Sequence, residues 1–284
     1  MRFGNVDLHL VSDGSIWADG GPLFGVVPRV LWEPTVDLVV HDCVRSELRC
    51  LLIQTRRQRV LVDTGYGDKL SEQERDRLRL GGTRRLFRSL ETVGIEPLSI
   101  DLVINTHLHT AHCGGNTRID DDGNLAPAFP RATCCVQRLE LADATFPNER
   151  TRVVYHCEDL EPVRQAGRLK VLAGDTRLSD EIRVAVTPGH TRAHQSVIIE
   201  SGGQTAMFLG DLAQWPVHLE RPAWVPAEDV EPQVSIETKR KIARWACEHR
   251  VLLLFAHHPE ISAGYLRRTE RPDRFCLEPV EMGA

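Results

Sequence analysis

The 284-residue sequence has no long apolar segment. No stretch approaches the roughly 20 apolar residues that cross a bilayer, and the first residues, MRFGNVDLHLVSDG, lack the apolar run of a signal peptide. We therefore expect a cytoplasmic protein without a membrane partner.

Blocks of a single charge are also missing. The 35 Lys and Arg residues are intermixed with 40 Asp and Glu residues, which gives a formal net charge of -5. Proteins that bind nucleic acids usually present a basic patch to the phosphates, and this sequence has none. Nucleic acid is therefore excluded as a predicted partner.

The sequence contains no CxxC pair, although it has eight cysteines. They are scattered along the chain as Cys43, Cys50, Cys113, Cys134, Cys135, Cys157, Cys247 and Cys276. A chain of this length buries about three quarters of its unfolded surface, so it does not need disulfides for stability. We expect reduced thiols.

Low-complexity linkers and short-period repeats are absent, which predicts one domain over residues 1–284. Two halves nevertheless share an order of strand, strand, helix and strand. In the first half we predict a hairpin of strands 48–55 and 59–65, a helix near 86–94 and a strand at 100–107. In the second half we predict strands 181–190, 195–201 and 204–211, a helix from Ser235, its N-cap, to His249, and a strand at 251–258. A strand at 131–137 and a helix at 138–145 lie between them. This order of strands and helices predicts an α/β fold in which helices cover two sheets.

The segment GGPLFGVVPRVLW, residues 20–32, is apolar, and its Gly and Pro residues exclude a long helix. Two interpretations remain open. The segment is either an exposed loop over a ligand pocket, in which case Phe24 contacts the substrate, or an N-terminal strand packed on the core.

The stretch INTHLHTAHCGGN, residues 104–116, concentrates histidine at the end of a predicted strand. His107 and His109 alternate on an extended segment, so their side chains project to the same side, and a turn brings His112 back toward them. Packing alone does not explain three histidines within six residues. Imidazole is a preferred ligand of zinc, so the stretch predicts a metal site.

Three further predicted strands end in ligand-type residues, namely His190 in TPGHT, Asp211 in FLGD, and His257 with His258 in FAHH. Each motif alone is weak, because a lone His is usually structural and an Asp after Gly usually belongs to a turn. Their joint occurrence favours one site. Successive side chains of a strand face opposite sides, and we expect His257 rather than His258 to face it.

In their order, VLVDTG, THLHxxHCGGN, TPGHT, GD and the final His resemble the motifs of the metallo-β-lactamase superfamily. The form TPGHTxxHQS and the apolar segment 20–32 are most similar to the branch that holds N-acyl-homoserine lactonases and methyl parathion hydrolase. The resemblance implies an αββα sandwich of two mixed sheets, with one or two zinc ions in the cleft between the halves.

The resemblance also implies a set of site residues. His107, His109 and His190 would hold one metal, His112 and His257 the second, and Asp211, the catalytic residue, would bridge the two. Asp63 would steady a ligand histidine from outside, unless it is only a turn residue. His258 is an additional candidate ligand.

Several positions depart from the family pattern. Ala111 stands where HxHxDH has Asp, so the second metal loses an anionic ligand. An acidic residue commonly follows the last histidine, and here the residue is His258. Arg192-Ala193 replaces the commoner Pro-Gly. Gln214 stands where similar lactonases have a tyrosine, with Trp215 beside it.

These observations predict a metal-dependent hydrolase of a lactone, ester or thioester that uses metal-activated water. The sequence contains no GxSxG motif, which would indicate a serine nucleophile. We interpret Cys113 as a small buried residue of its turn rather than as a nucleophile. Phe24, Gln214 and Trp215 are the predicted substrate contacts, and the apolar segment 20–32 would allow a homodimer.

Two alternatives remain open for the same fold. In the first, His107, His190 and Asp211 hold a single non-haem iron for oxygen chemistry. In the second, the departures at Ala111 and His258 indicate a non-catalytic metal-binding or scaffold protein.

Overall fold

The computed structural model describes residues 1–37, 39–271 and 274–282. The strands of these residues are β1 (Arg2–Phe3), β2 (Val6–Asp19), β3 (Val39–Val40), β4 (Cys43–Gln54), β5 (Arg59–Val62), β6 (Leu102–Ile104), β7 (Thr117–Ile119), β8 (Leu125–Pro127), β9 (Thr133–Gln137), β10 (Leu169–Leu172), β11 (Thr176–Arg177), β12 (Ile182–Val186), β13 (Gln195–Ser201), β14 (Gln204–Phe208), β15 (Leu252–Leu254), β16 (Ala263–Arg268) and β17 (Phe275–Pro279). The helices are α1 (Gly20–Phe24), α2 (Arg29–Trp32), α3 (Glu72–Leu78), α4 (Arg85–Thr92), α5 (Thr110–Cys113), α6 (Arg138–Thr145), α7 (Glu161–Gln165), α8 (Val217–Glu220) and α9 (Pro232–Glu248).

Most of these strands form two large mixed sheets, and β7 pairs with β8 in a separate two-stranded sheet. The first has the order β1-β2-β4-β5-β6-β9-β10, with β3 paired to β4, and the second runs from β11 to β17 in sequence order. β5, β6, β9 and β10 are parallel neighbours, as are β14 and β15. Parallel neighbours end at the same edge of a sheet, so the loops after them meet in space.

Three apolar layers hold the two sheets and the helices together. The central layer lies between the sheets and joins Leu51 and Ile104 of the first to Val197 and Phe208 of the second, all fully buried. A second layer packs the other face of the first sheet against α4 and α7. A third packs the other face of the second sheet against α9. The architecture is the predicted sandwich of sheets flanked by helices.

Many predicted elements agree with the structure. The hairpin of β4 and β5, the start of β13 and β14 at their predicted residues, and the bounds of α6 are confirmed. Most strands are shorter than predicted, because the polar ends of the predicted runs leave the sheet and enter the site loops. No helix among the described residues is long and apolar enough to cross a membrane.

Two predictions about local structure are wrong. Ser235 is not an N-cap, because α9 begins at Pro232 and the Ser235 hydroxyl faces Asp229 instead. Residues 20–32 do not form a strand, because they fold into the short helices α1 and α2 after the long strand β2.

Candidate metal centre

Loops from both sheets converge at one edge of the sandwich. Asp63 follows β5, and the histidine stretch follows its parallel neighbour β6. In the second sheet, His190 follows β12, while Asp211 and His257 follow the parallel pair β14 and β15. The strand ends therefore deliver the ligand-type residues of both halves to one cluster.

The first group comprises His107, His109 and His190, which are all buried and could together hold a metal ion. The Nδ1 atom of His109 lies 3.1 Å from Nε2 of His190. His190 in turn directs Nδ1 at Asp229 Oδ1, 2.9 Å away. The Nε2 atom of His107 is buried without a hydrogen-bond partner.

The second group centres on Asp211. The ligand atoms of His107, His112 and Asp211 lie within 4.8 Å of one another. His257 Nε2 lies 2.9 Å from Asp211 Oδ1 and 3.1 Å from His112 Nε2. Its Nδ1 faces the Glu47 carbonyl oxygen at 2.7 Å.

The donor set fits a divalent metal. A carbonyl oxygen only accepts hydrogen bonds, so His257 donates through Nδ1, and His112 does the same to Asp63 Oδ2 at 2.8 Å. When both rings are neutral, Nε2 of His112 and Nε2 of His257 each carry a lone pair instead of a hydrogen. These lone pairs point at each other and at Asp211 Oδ1, which accepts no hydrogen bond. Lone pairs that converge in a buried space repel one another, and a cation between them removes this repulsion.

The electrostatics of the cluster also favour a positive charge. Burial opposes a charge on His112, but the carboxylates of Asp211 and Asp63 raise its pKa to about 10. Burial likewise opposes a charge on His190, yet Asp211 and Asp229 raise its pKa to about 9. Although burial opposes its ionisation, the surrounding histidines hold the pKa of Asp211 well below its usual range. A proton and a metal ion therefore compete for the same nitrogen atoms.

Asp63 has the contacts of an orienting residue. Its backbone adopts a positive φ of 59°, and its carboxylate accepts hydrogen bonds from the Thr106 N–H at 2.7 Å and the Thr106 hydroxyl at 2.8 Å. The remaining contact is the one with His112. Asp63 thus fixes both the start of the histidine loop and one of its rings.

Three positions that the sequence analysis predicted to depart from the family pattern have different places relative to the cluster. Ala111 lies in α5 and offers no ligand atom. His258 lies outside the cluster, because its Nδ1 accepts the backbone N–H groups of Glu260 at 3.2 Å and Ile261 at 2.9 Å. Gln214 lies inside, where its Nε2 donates to Asp211 Oδ2 at 3.0 Å.

The predicted apolar substrate contacts are deeply packed. Phe24 is fully buried, stacks on Trp32 with 4.8 Å between ring centroids, and meets Trp215 edge-on at 5.7 Å. Val26, by contrast, is 94% exposed. Contact of Phe24, Gln214 and Trp215 with a substrate stays a prediction.

The buried Cys113 donates to the Leu108 carbonyl oxygen at 3.2 Å, which agrees with a structural thiol.

The structure adds residues that the sequence analysis missed. His194 accepts the Asp211 N–H through Nε2 at 3.0 Å. Glu140 accepts hydrogen bonds from the Leu108 N–H at 3.0 Å, the Tyr155 hydroxyl at 2.9 Å and the Thr191 hydroxyl at 2.5 Å. His194 lies four residues after His190 in TPGHTRAHQS, so its position beside a ligand-type histidine could have identified it. No local pattern marks Glu140 or Asp229.

Known proteins are similar to this chain in sequence and in fold. The model of the metallo-beta-lactamase superfamily matches residues 49–265. The N-acyl homoserine lactonase AiiA of Bacillus thuringiensis subsp. kurstaki is 24% identical over 222 residues, which cover 74% of this chain and 81% of the relative. A probable metal-dependent hydrolase from Staphylococcus aureus superposes with a TM-score of 0.88 at 26% identity, over all of both chains.

A second solved structure extends the comparison. AidC, a dizinc quorum-quenching lactonase in complex with a product, superposes with a TM-score of 0.82 at 18% identity, over 100% of this chain and 97% of that one. Homologues and structural neighbours are thus metal-dependent hydrolases, lactonases among them. The family model covers most of this chain, and the chain belongs to the metallo-beta-lactamase superfamily.

Proposed function

We propose that this protein is a metal-dependent hydrolase that opens a lactone, with esters and thioesters as chemically related substrates. The observation that carries the proposal is the convergence of the His112 and His257 Nε2 atoms on Asp211 Oδ1, a buried oxygen that accepts no hydrogen bond. The names of the curated relatives, which are N-acyl homoserine lactonases, support the choice of a lactone.

Zinc is the metal we propose. His107, His109 and His190 would hold the first ion, His112 and His257 the second, and Asp211 would contact both. A zinc ion in such a site lowers the pKa of a bound water to about 7 and polarises a carbonyl group. The dizinc lactonase among the structural neighbours supports this choice.

The chain's own residues prepare Asp211 for this role. His194 accepts its backbone N–H, and the amide of Gln214 donates to its Oδ2. Gln214 leaves Oδ1 of Asp211 free of donors, so that oxygen stays available to a cation. A side-chain amide donates hydrogen bonds but does not release a proton at neutral pH, and we therefore assign Gln214 to orientation rather than to acid catalysis.

Adjacent histidines offer a matched test of this proposal. His257→Ala removes a ring that points at Asp211, whereas His258→Ala removes a ring of the same type that points away. We expect about two zinc ions per chain in the wild type and in the His258 variant by elemental analysis, and about one in the His257 variant. Equal zinc contents in both variants would remove His257 from the site.

Activity is tested on a panel of N-acyl homoserine lactones, open-chain esters and thioesters, with acid release followed by a pH indicator. We expect lactone hydrolysis that falls at least 100-fold in Asp211→Asn. Metal-loaded wild-type protein that hydrolyses none of the panel would favour the non-catalytic alternative. One iron per chain instead of zinc would favour the oxygen-chemistry alternative.

A further inference from the structure

Behind His190 lies a buried carboxylate that the proposed reaction does not yet use. Asp229 is 2% exposed, and its Oδ1 lies 2.9 Å from His190 Nδ1. We propose that Asp229 is a positioning residue that holds His190 in the orientation and tautomer needed to bind the first metal. This inference rests on the proposed metal site and adds a residue to it.

The contact between Asp229 and His190 fixes which ring nitrogen faces the cluster. An ionised carboxylate only accepts hydrogen bonds, so the hydrogen between the two residues sits on His190 Nδ1. The neutral ring then presents the lone pair of Nε2 to His109 Nδ1, 3.1 Å away, in the first group. A carboxylate behind a ligand histidine also makes the ring a stronger donor to a cation.

Asp229 is itself held by helix α9. The Ser235 hydroxyl donates to its other oxygen, Oδ2, at 2.5 Å. One turn later on the same helix, the fully buried Lys239 donates to the Trp224 carbonyl oxygen at 2.9 Å, and its positive charge stabilises the Asp229 carboxylate. The helix thus supplies both a hydrogen bond and a countercharge to the group that orients His190.

The backbone brings the helix close enough for this arrangement. Val230 donates to the His190 carbonyl oxygen and Glu231 to that of Gly189, both at 3.0 Å. Gly189 has a φ of 139°, and a Cβ atom there would lie 2.4 Å from Ser235 Cα. The glycine of TPGHT therefore permits the close approach of α9 to the His190 loop.

Asp229 has the environment of Asp63 on the opposite side of the cluster. Asp63 backs His112 of the second group at 2.8 Å, and Asp229 backs His190 of the first at 2.9 Å. In the first group, the outer ring nitrogen of His190 contacts a carboxylate, whereas Nδ1 of His107 lies 3.0 Å from the Thr106 hydroxyl. We therefore expect metal affinity at the first group to depend on Asp229.

Cobalt binding provides the test, because the visible spectrum of Co²⁺ reports its ligand geometry independently of catalysis. The metal-free wild type and the Asp229→Ala and Asp229→Asn variants are titrated with Co²⁺ against a chromophoric chelator. We expect the tightest site to weaken about 100-fold in the Ala variant and about 10-fold in the Asn variant, which keeps an acceptor but loses the charge. Its absorption bands should shift in both.

Asp13→Asn is the matched control. Asp13 is equally buried at 1% exposure and pairs with Arg85 at 3.4 Å, but it contacts no histidine of the cluster. We expect its Co²⁺ affinity and spectrum to match the wild type. Ser235→Ala, which removes only the support of Asp229, should weaken Co²⁺ binding by less than Asp229→Ala.

Two results would overturn the inference: wild-type affinity and spectrum in Asp229→Asn, or an equal loss of affinity in Asp13→Asn. A wild type that binds no Co²⁺ would instead refute the proposed metal site, so the two failures are distinguishable.

Discussion

Each histidine has two ring nitrogens, and the partner of one decides what the other can do. In this cluster the partners are acceptors: Asp63 for His112, Asp229 for His190, and the Glu47 carbonyl oxygen for His257. All three rings are thereby set to present Nε2 inward. Single hydrogen bonds outside the cluster thus determine its suitability for a cation.

A carboxylate at position 111 is predicted to strengthen binding of the proposed second metal. Ala111→Asp places an anionic side chain beside His112, and we expect a second metal ion to bind at least 10-fold more tightly. Competition with a chelator measures this change. The control Ala111→Asn adds a side chain of the same shape without charge, and a gain of equal size in it would contradict the electrostatic explanation.

Asp13 should make stability fall as the pH rises through the acidic range. Burial raises the pKa of Asp13 to about 6, against the attraction of Arg85, whereas an unfolded aspartate titrates near 3.9. The folded state therefore binds the proton more strongly, and about 3 kcal/mol of stability present below pH 4 is lost as the pH passes 6.

Urea unfolding of the wild type and Asp13→Asn at pH 4 and pH 7 tests the sign of this effect. Because the amide does not titrate, the variant should gain stability relative to the wild type as the pH rises. A difference between the two proteins that is constant across this range would contradict the prediction.

At the scale of elements, α6 connects the loops that carry the histidines. Its Glu140 is 1% exposed and accepts a hydrogen bond from Leu108, between His107 and His109, and another from Thr191, next to His190. Those loops come from different sheets. Glu140 therefore helps to hold the loop of His107 and His109 at a fixed position relative to the loop of His190.

Glu140→Gln should destabilise the protein by about 1–2 kcal/mol, because the amide oxygen accepts from Leu108 and Tyr155 without the negative charge that strengthens these hydrogen bonds, and the Thr191 hydroxyl has to turn to accept from the new amide N–H. Chemical unfolding measures the loss. Glu161→Gln on α7, whose carboxylate is on the surface and paired with Arg164, is the control and should leave stability nearly unchanged. Equal effects would contradict the role of Glu140.

Across the whole molecule, residues of both sheets form the cluster, so a metal ion bound there would link the two sheets. A ligand that binds only the folded state raises its stability in proportion to the logarithm of its concentration over its dissociation constant. Removal of metal with a chelator should therefore lower the unfolding midpoint by several degrees. Re-addition of Zn²⁺ should restore the midpoint. An unfolding midpoint that is the same with and without metal would contradict the idea that a metal ion links the two sheets.

The exposed apolar residues of the N-terminal segment support the predicted homodimer. Val26, Val30 and Leu31 are 94%, 75% and 53% exposed. We expect light scattering to give the mass of a dimer for the wild type and of a monomer for Val26→Lys. Val153→Lys is the control, because Val153 is 68% exposed but lies outside the N-terminal segment. A monomeric wild type would refute the dimer.

Local patterns in the sequence were enough to predict several elements and the types of the candidate ligands. Apolar periodicity identified α6 and the hairpin of β4 and β5, because these patterns are local. It missed α3, although Ser71 and Glu74 form a capping box that is visible in the sequence. The histidine stretch was equally visible, since its spacing is local too.

The residues that surround those candidate ligands became visible in the folded chain. Glu140, Asp229 and His194 reach the cluster from elements far from the histidine stretch in sequence, and no local pattern marks the first two. Ser235 shows the same limit: its sequence context suggests an N-cap, yet the approach of α9 to His190 turns its hydroxyl toward Asp229. Hydrogen bonds to a buried carboxylate depend on distances in space, which local sequence patterns do not encode.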